Sequence, residues 1–236
     1  MMKVSPRVNF AVRIVTYPRP DGKTPLLLRE TIKSLKKQTY DKWTAYVVGD
    51  MYTPNEEFDS FAELFPKGKA KLRNVCIDPE RLKFNDERRS YFGGINAINF
   101  CLDWIAEDNM KHVAILDHDD IWRDNHLESL AEAYHRYEDL AFAYTSGIHE
   151  TIGILPRQRC STMECDNLKP TEENIIHSSA SWRVDLLPLR YRYNYRPDGR
   201  PVYGDMTMWG DMRSAMKKNR LKCVYIDRNT VYHDGV

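Results

Sequence analysis

The apolar run Val113-Ala114-Ile115-Leu116 ends without transition in Asp117-His118-Asp119-Asp120, and Ile121-Trp122 follow. Such a run reads as a strand buried on both faces, the pattern of a central strand in a parallel sheet. A carboxylate is costly in that core, so the strand is expected to surface at Asp117. Side chains alternate in an extended chain. Asp117 and Asp119 are therefore expected to face one site, His118 to point into the scaffold, and Asp120 to start the turn. Neighbouring carboxylates repel one another unless a cation lies among them. Oxygen-only ligation by few residues suits Mg2+ or Mn2+, which also accept phosphate oxygens. An Asp-rich turn or helix N-cap is the other reading of the same residues.

The rest of the chain alternates strand and helix signals. Asn9 to Thr16 reads as a strand and Tyr17 to Gly22 as a loop. Thr24 is placed to cap a helix with Pro25 in its first turn, and Leu28, Ile32 and Leu35 mark its buried stripe. Trp43 to Gly49 reads as a second strand with Asp50 at its end. A polar helix is expected near Asn55 to Leu64, a short strand over Lys71 to Ile77, and a helix over Ser90 to Ile105. After the acidic segment, Asp124 is placed to cap another helix, and Leu140 to Thr145 reads as a strand. Ser146 to Asn174 reads mostly as loop, and Ile175 to Leu187 as a strand or short helix. Thr207 to Asn219 is predicted to be a helix and Cys223 to Ile226 a last strand. This pattern predicts an α/β fold with a mostly parallel central sheet flanked by helices. Ligands bind beyond the carboxyl ends of such strands. Thr16, Asp50 and Asp117 to Asp120 fall at those ends.

With 236 residues, 42% hydrophobic and 29% charged, the chain can bury a core without disulfides, and its net charge of +1 argues against a polybasic nucleic-acid binder. No apolar run approaches the ~18 residues of a spanning helix, and the N-terminus lacks an apolar signal region. Cys76, Cys101 and Cys223 sit in apolar segments and read as core thiols. Cys160 and Cys165 lie in a polar loop and would make only half a zinc site. A reducing, cytoplasmic setting is the simplest expectation. The chain stops with little tail, as a domain excised from a longer protein would.

Three stretches together carry a resemblance. They are Val12-Arg13-Ile14-Val15-Thr16-Tyr17-Pro18, then Ser34-Leu35-Lys36-Lys37-Gln38-Thr39-Tyr40 leading to Val47-Val48-Gly49-Asp50, then Leu116-Asp117-His118-Asp119-Asp120-Ile121-Trp122. In this order and spacing the chain, over roughly residues 8 to 233, resembles the inverting, nucleotide-sugar-dependent glycosyltransferases of GT-A fold, family 2. The resemblance implies a single GT-A domain over 1–236. Residues 8–122 would bind the nucleotide sugar, and 123–236 would hold the acceptor and the catalytic base. It implies a nucleoside-diphosphate sugar donor, UDP-linked by preference, a glycan or glycoconjugate acceptor, and Mn2+ or Mg2+. A non-catalytic sugar-nucleotide or glycan-binding module is an alternative, as is a sugar-1-phosphate nucleotidyltransferase. The latter would want a Gly-rich phosphate loop that Thr16-Tyr17-Pro18-Arg19-Pro20 does not supply.

Residue by residue, the resemblance places Thr16, Tyr17 and Pro18 beside the nucleotide, with Asp50 accepting the base imide hydrogen. Arg88, Arg89 and Asn96 would face base or phosphate. Asp117, His118 and Asp119 would lie along the donor, and Asp119, Asp120 and His233 would serve the metal. His177, Trp182 and Trp209 would lie on the acceptor side, with Tyr191, Tyr193 and Tyr195 as further stacking candidates; ordinary packing gives the same aromatic pattern. Asp211 would be the general base, with Asp205 as its competitor. Two departures stand out: Gly49-Asp50 has one acid where the family often has two, and Gly210-Asp211 replaces the usual Glu-Asp pair before the late helix.

Overall fold

The computed structural model describes residues 8–53, 55–75, 94–156 and 175–233. In chain order the strands are β1 (Phe10–Thr16), β2 (Trp43–Asp50), β3 (Ala70–Val75), β4 (His112–Ile115), β5 (Asp120–Trp122), β6 (Leu140–His149), β7 (Gly153–Leu155), β8 (Ala180–Arg183), β9 (Asn194–Tyr195), β10 (Pro201–Val202) and β11 (Lys222–His233). The helices are α1 (Thr24–Lys36), α2 (Glu56–Ser60), α3 (Ile95–Glu107), α4 (His126–Arg136) and α5 (Gly204–Asn219). Among the described residues one sheet runs β3-β2-β1-β4-β8-β6-β11-β5, with β7 on β6, and β9 and β10 form a separate hairpin. The β3-β2-β1-β4 half is parallel, as is β6 with β11. β8 is antiparallel to both β4 and β6, and β5 to β11.

Both faces of the central strands are covered, which explains their unbroken apolar runs. Phe10, Val12 and Ile14 of β1 pack with Leu28, Ile32 and Leu35 of α1 and Leu127 and Leu130 of α4. Ala11 and Val15 turn to the other face, against Ile95 and Ile98 of α3 and Met208 and Met212 of α5. Arg13 falls on that second face by the same alternation and is 0% exposed.

α1 is tied to the acidic segment by its polar side chains. The Thr31 hydroxyl lies 3.0 Å from the His118 carbonyl and 2.9 Å from that of Asp120, and Ser34 Oγ accepts the Trp122 N–H at 3.1 Å. Gln38 donates to the Arg123 carbonyl at 2.8 Å and accepts the Leu127 N–H at 2.9 Å. The expected cap at Asp124 is therefore replaced by a side chain from α1: Asn125 stands at the cap position of α4 without a side-chain bond. Thr24 is the first residue of α1, and its hydroxyl closes the preceding loop by accepting Arg19 N–H at 3.0 Å and donating to the Tyr17 carbonyl at 2.9 Å.

Two boundaries differ with consequences for the site. α5 starts at Gly204 rather than Thr207. β11 continues past Ile226 to His233, because register shifts between Ile226 and Val231 absorb the turn-like Asp227-Arg228-Asn229 while the strand stays paired to β6. α3 starts at Ile95, after Gly94 with φ of 75°; the expected start at Ser90 lies outside the described residues.

Candidate active site

Beyond the carboxyl ends of β1 and β4 lies a cavity of about 280 Å³. Asp117, His118 and Asp119 line it from the acidic segment, Arg13 and Tyr17 from β1 and its loop, His177 and Tyr191 from the second half, and Tyr203 and Asp205 from the start of α5. The alternation expected of the acidic segment holds for Asp117 and Asp119. His118 is buried, with its ring edge-on to Tyr17 at 5.2 Å.

Asp117 sits in a chain of polar contacts. One carboxylate oxygen accepts Arg13 Nη2 at 3.1 Å, and the other meets His177 Nδ1 at 2.6 Å. A carboxylate accepts only, so Nδ1 carries a proton toward Asp117, and His177 Nε2 lies in hydrogen-bond contact with the Tyr191 hydroxyl at 2.7 Å. Burial alone would raise the Asp117 pKa, but His177 and then Arg13 hold its carboxyl far below the usual range. Asp117 therefore anchors the site as a fixed anion.

Asp120 corrects an expectation. It is 0% exposed, it lines none of the cavities described here, and its Oδ1 takes the His233 Nδ1–H at 2.6 Å. Burial raises the Asp120 pKa to about 6 despite that bond, and its charge holds His233 up at about 9 against the cost of burying an imidazolium. Asp120, expected among the metal-serving residues, is therefore turned away from the cavity and holds the His233 ring in place.

The two candidate bases separate clearly. Asp211 lies in the middle of α5, both its oxygens held by Arg192 at 2.9 and 2.8 Å, outside the cavity. Asp205 lies in the first turn of α5 and lines the cavity, where the helix N-terminus favours a carboxylate. The helix starts at Gly204, earlier than its periodicity suggested, and this brings Asp205 to the cavity while Asp211 stays outside it.

Trp182 and Trp209 are also corrected. They are 0% and 1% exposed, Trp182 within the sheet between β4 and β6 and Trp209 packed on Phe142, so neither offers a face to an acceptor. Tyr191 is likewise buried, whereas Tyr193 and Tyr195 are exposed near the β9–β10 hairpin. Thr16 is 0% exposed with its hydroxyl 2.9 Å from that of Tyr52, so it positions the strand end and offers no surface. Pro18 is exposed in the loop, Asp50 closes β2 nearly buried, and Asn96 is half-buried in the first turn of α3. Arg88, Arg89, Cys76, Cys160 and Cys165 lie outside the described residues. The residue overlooked in the sequence is Arg13. Its signal was present, a lone cation inside the apolar run Phe10-Ala11-Val12-Arg13-Ile14-Val15.

The family model for glycosyl transferase family 2 matches residues 12–187. The chain belongs to that family. A glycosyltransferase of Acanthamoeba polyphaga mimivirus, R139, is 35% identical over 234 residues, covering 96% of this chain and 94% of its own. Among solved structures, the fold is similar to that of TarS 1-349 of S. aureus in complex with UDP-GlcNAc, with a TM-score of 0.62 and 14% identity over 97% of this chain. It is also similar to that of the mannosyltransferase PcManGT of Pyrobaculum calidifontis in complex with GDP-Man and Mn2+, with a TM-score of 0.64 and 14% identity over 96% of this chain. The chain spans 60% and 57% of those two structures. No helix among the described residues is long and apolar enough to cross a membrane.

Among the described residues of this family 2 chain, no three His, Cys, Asp or Glu side chains gather into a cage for a metal. Asp119 lines the first cavity with its side chain 21% exposed and Arg19 Nη1 3.5 Å from one of its oxygens, and His233, held through Nδ1 by Asp120, lines the neighbouring cavity that shares Asp205 with the first. Mg2+ and Mn2+ are commonly held by one or two protein groups, with phosphate oxygens and water completing the shell.

Proposed function

We propose that the chain is an inverting, metal-assisted glycosyltransferase that moves a sugar from a nucleoside diphosphate, UDP by preference, to a hydroxyl of a glycan or glycoconjugate. The observation that carries this reading is the single cavity shared by Asp119 and Asp205. One is a carboxylate for the diphosphate end and the other a carboxylate for the attacking hydroxyl. UDP is favoured by the carboxylate at Asp50, which accepts the N–H of a uracil imide.

Inversion requires one in-line displacement. The acceptor oxygen forms a bond to the anomeric carbon as the bond from that carbon to the diphosphate oxygen breaks. Asp205 takes the hydroxyl proton as attack proceeds. Tyr17, which lines the same cavity, would lie beside the nucleobase. The chain Arg13–Asp117–His177–Tyr191 fixes the floor of the cavity, so the sugar meets groups that need no rearrangement. Asp119 and His233 would hold the divalent ion, which supplies charge neutralisation on the departing diphosphate when bound. Calorimetry with UDP-GlcNAc, GDP-mannose and dTDP-glucose, each with and without Mn2+, tests the reading. Tight, Mn2+-dependent binding of a UDP-sugar is expected, and absence of binding by all three would sink it.

A further inference from the structure

Residues 190–192 run between α3 and α5 without regular secondary structure of their own. A side chain satisfies the backbone there. Asn99 of α3 takes both polar backbone groups of Tyr191: its Oδ1 accepts the Tyr191 N–H at 2.8 Å, and its Nδ2 donates to the Tyr191 carbonyl at 2.8 Å. Asp103 lies four residues on, along the same face of α3, and accepts Arg190 Nε and Nη2 at 2.8 and 2.7 Å. On the other side Arg192 holds Asp211 of α5. The segment is laced to two helices, and its middle residue is turned inward.

Tyr191 is 4% exposed and meets the candidate site on two sides. Its hydroxyl lies 2.7 Å from His177 Nε2, and its ring centroid lies 6.0 Å from the Arg13 guanidinium carbon. Arg13 and His177 both hold Asp117. The four side chains therefore close a ring of contacts. They come from β1, the acidic segment, the short turn His177–Ser179 and the 190–192 strap. The Tyr191 ring also packs on the start of α5, since a Cβ added to Gly204 would lie 3.6 Å from its Cδ1. A phenylalanine would supply that packing equally well. Only the hydroxyl reaches His177, and burial pushes the phenol up so that it keeps its proton. An imidazole held at Nδ1 alone can pivot about that one bond, whereas one held at both nitrogens cannot.

We infer that Tyr191 is a positioning residue of the transfer reaction. It holds the His177 ring at Nε2, His177 thereby fixes the Asp117 carboxylate in the donor cavity, and Asn99 sets the depth at which Tyr191 enters. The inference rests on the glycosyltransferase reading above. Tyr191 acts through His177 rather than on the reacting atoms.

The test has two arms, both on the full chain. The first needs no substrate. In protein labelled with 15N-histidine, the His177 Nδ1–H that faces Asp117 is expected as a downfield, slowly exchanging imidazole signal, assigned by its absence in His177→Gln. Tyr191→Phe is expected to broaden or abolish that signal while the thermal melt stays close to the parent's. The second arm follows release of nucleoside diphosphate, with Mn2+ and methyl glycosides as acceptors, from whichever of UDP-GlcNAc, GDP-mannose and dTDP-glucose the parent binds. Tyr191→Phe is expected to lower kcat about tenfold or more with the calorimetric donor Kd within about twofold, the split of a group that serves the transition state. Asn99→Ala is expected to lower kcat in the same way. In a His177→Gln background Tyr191→Phe is expected to cost nothing further, because residues that act through one another do not add. An unchanged His177 signal in Tyr191→Phe overturns the assignment, and so does an unchanged kcat or a full additional loss in the His177→Gln background. Failure of the parent to bind any of the three sugar nucleotides overturns the glycosyltransferase reading instead, and the histidine signal still decides whether Tyr191 holds His177.

Discussion

Two aspartates six positions apart on α5 have opposite circumstances, and exchange of either for asparagine tells them apart. Asp205→Asn keeps volume and helix-start geometry but cannot accept the acceptor's proton. Turnover is expected to fall by about 10²–10⁴ with donor affinity nearly intact. Asp211→Asn loses only its pairing with Arg192 on the exposed helix face and is expected to keep turnover within a few-fold. Single-turnover assays at saturating donor check both; loss in Asp211→Asn with retention in Asp205→Asn would reverse the assignment. Arg13 belongs to the same scale. Its guanidinium is fully buried against Asp117, so Arg13→Met leaves that carboxylate to His177 alone and is expected to cost about 3 kcal/mol, the low end for a broken buried pair. Adding Asp117→Asn should recover part of that loss. Urea unfolding of both variants measures it, and equal stability of the single variant and the parent would remove Arg13 from the network.

At the level of elements, α1 acts as the splint of the acidic segment. Gln38 bridges Arg123 and Leu127, so Gln38→Leu leaves a buried carbonyl and a helix-start N–H without partners. A loss of about 2–3 kcal/mol is expected, with weaker donor binding because Asp119 hangs from the same segment. A variant with native melting and native donor affinity would show that the bridge is ornamental. The elements show where sequence suffices. The alternation of Asp117 and Asp119 was readable because a strand has a period of two and its apolar run fixes which face is which. The choice between Asp205 and Asp211 was not readable: each follows a glycine in the same helix, and only the packing of Gly204 beside Ile95 shows where that helix begins. The burial of Asp120 was hidden for the same reason, since its partner His233 comes from β11, far along the chain.

For the molecule as a whole, stability should follow the buried histidines. His126 is enclosed between α4 and β11, with Nδ1 2.7 Å from the Thr230 hydroxyl, and burial lowers its pKa to about 3. The unfolded chain takes up this proton near pH ~6.5 while the folded one refuses it. The contribution is therefore complete above pH ~6.5 and is lost as pH falls toward about 3, by up to ~1.4 kcal/mol per pH unit. Thermal melts from pH 7.5 to 4.5 should fall less steeply for His126→Asn than for the parent, and parallel curves would refute the assignment.

β11 carries one more implication, in the order of events. It is the strand that brings His233 to Asp120 across 113 positions of sequence, and it inserts in parallel beside β6 after the α5 crossover. Contacts of such separation form late, because loop closure must come first. A partly folded chain can therefore display the carboxylates that follow β4 before it owns the histidine beside them. On the proposed function, competence to hold the ion would then arrive only with the finished sheet.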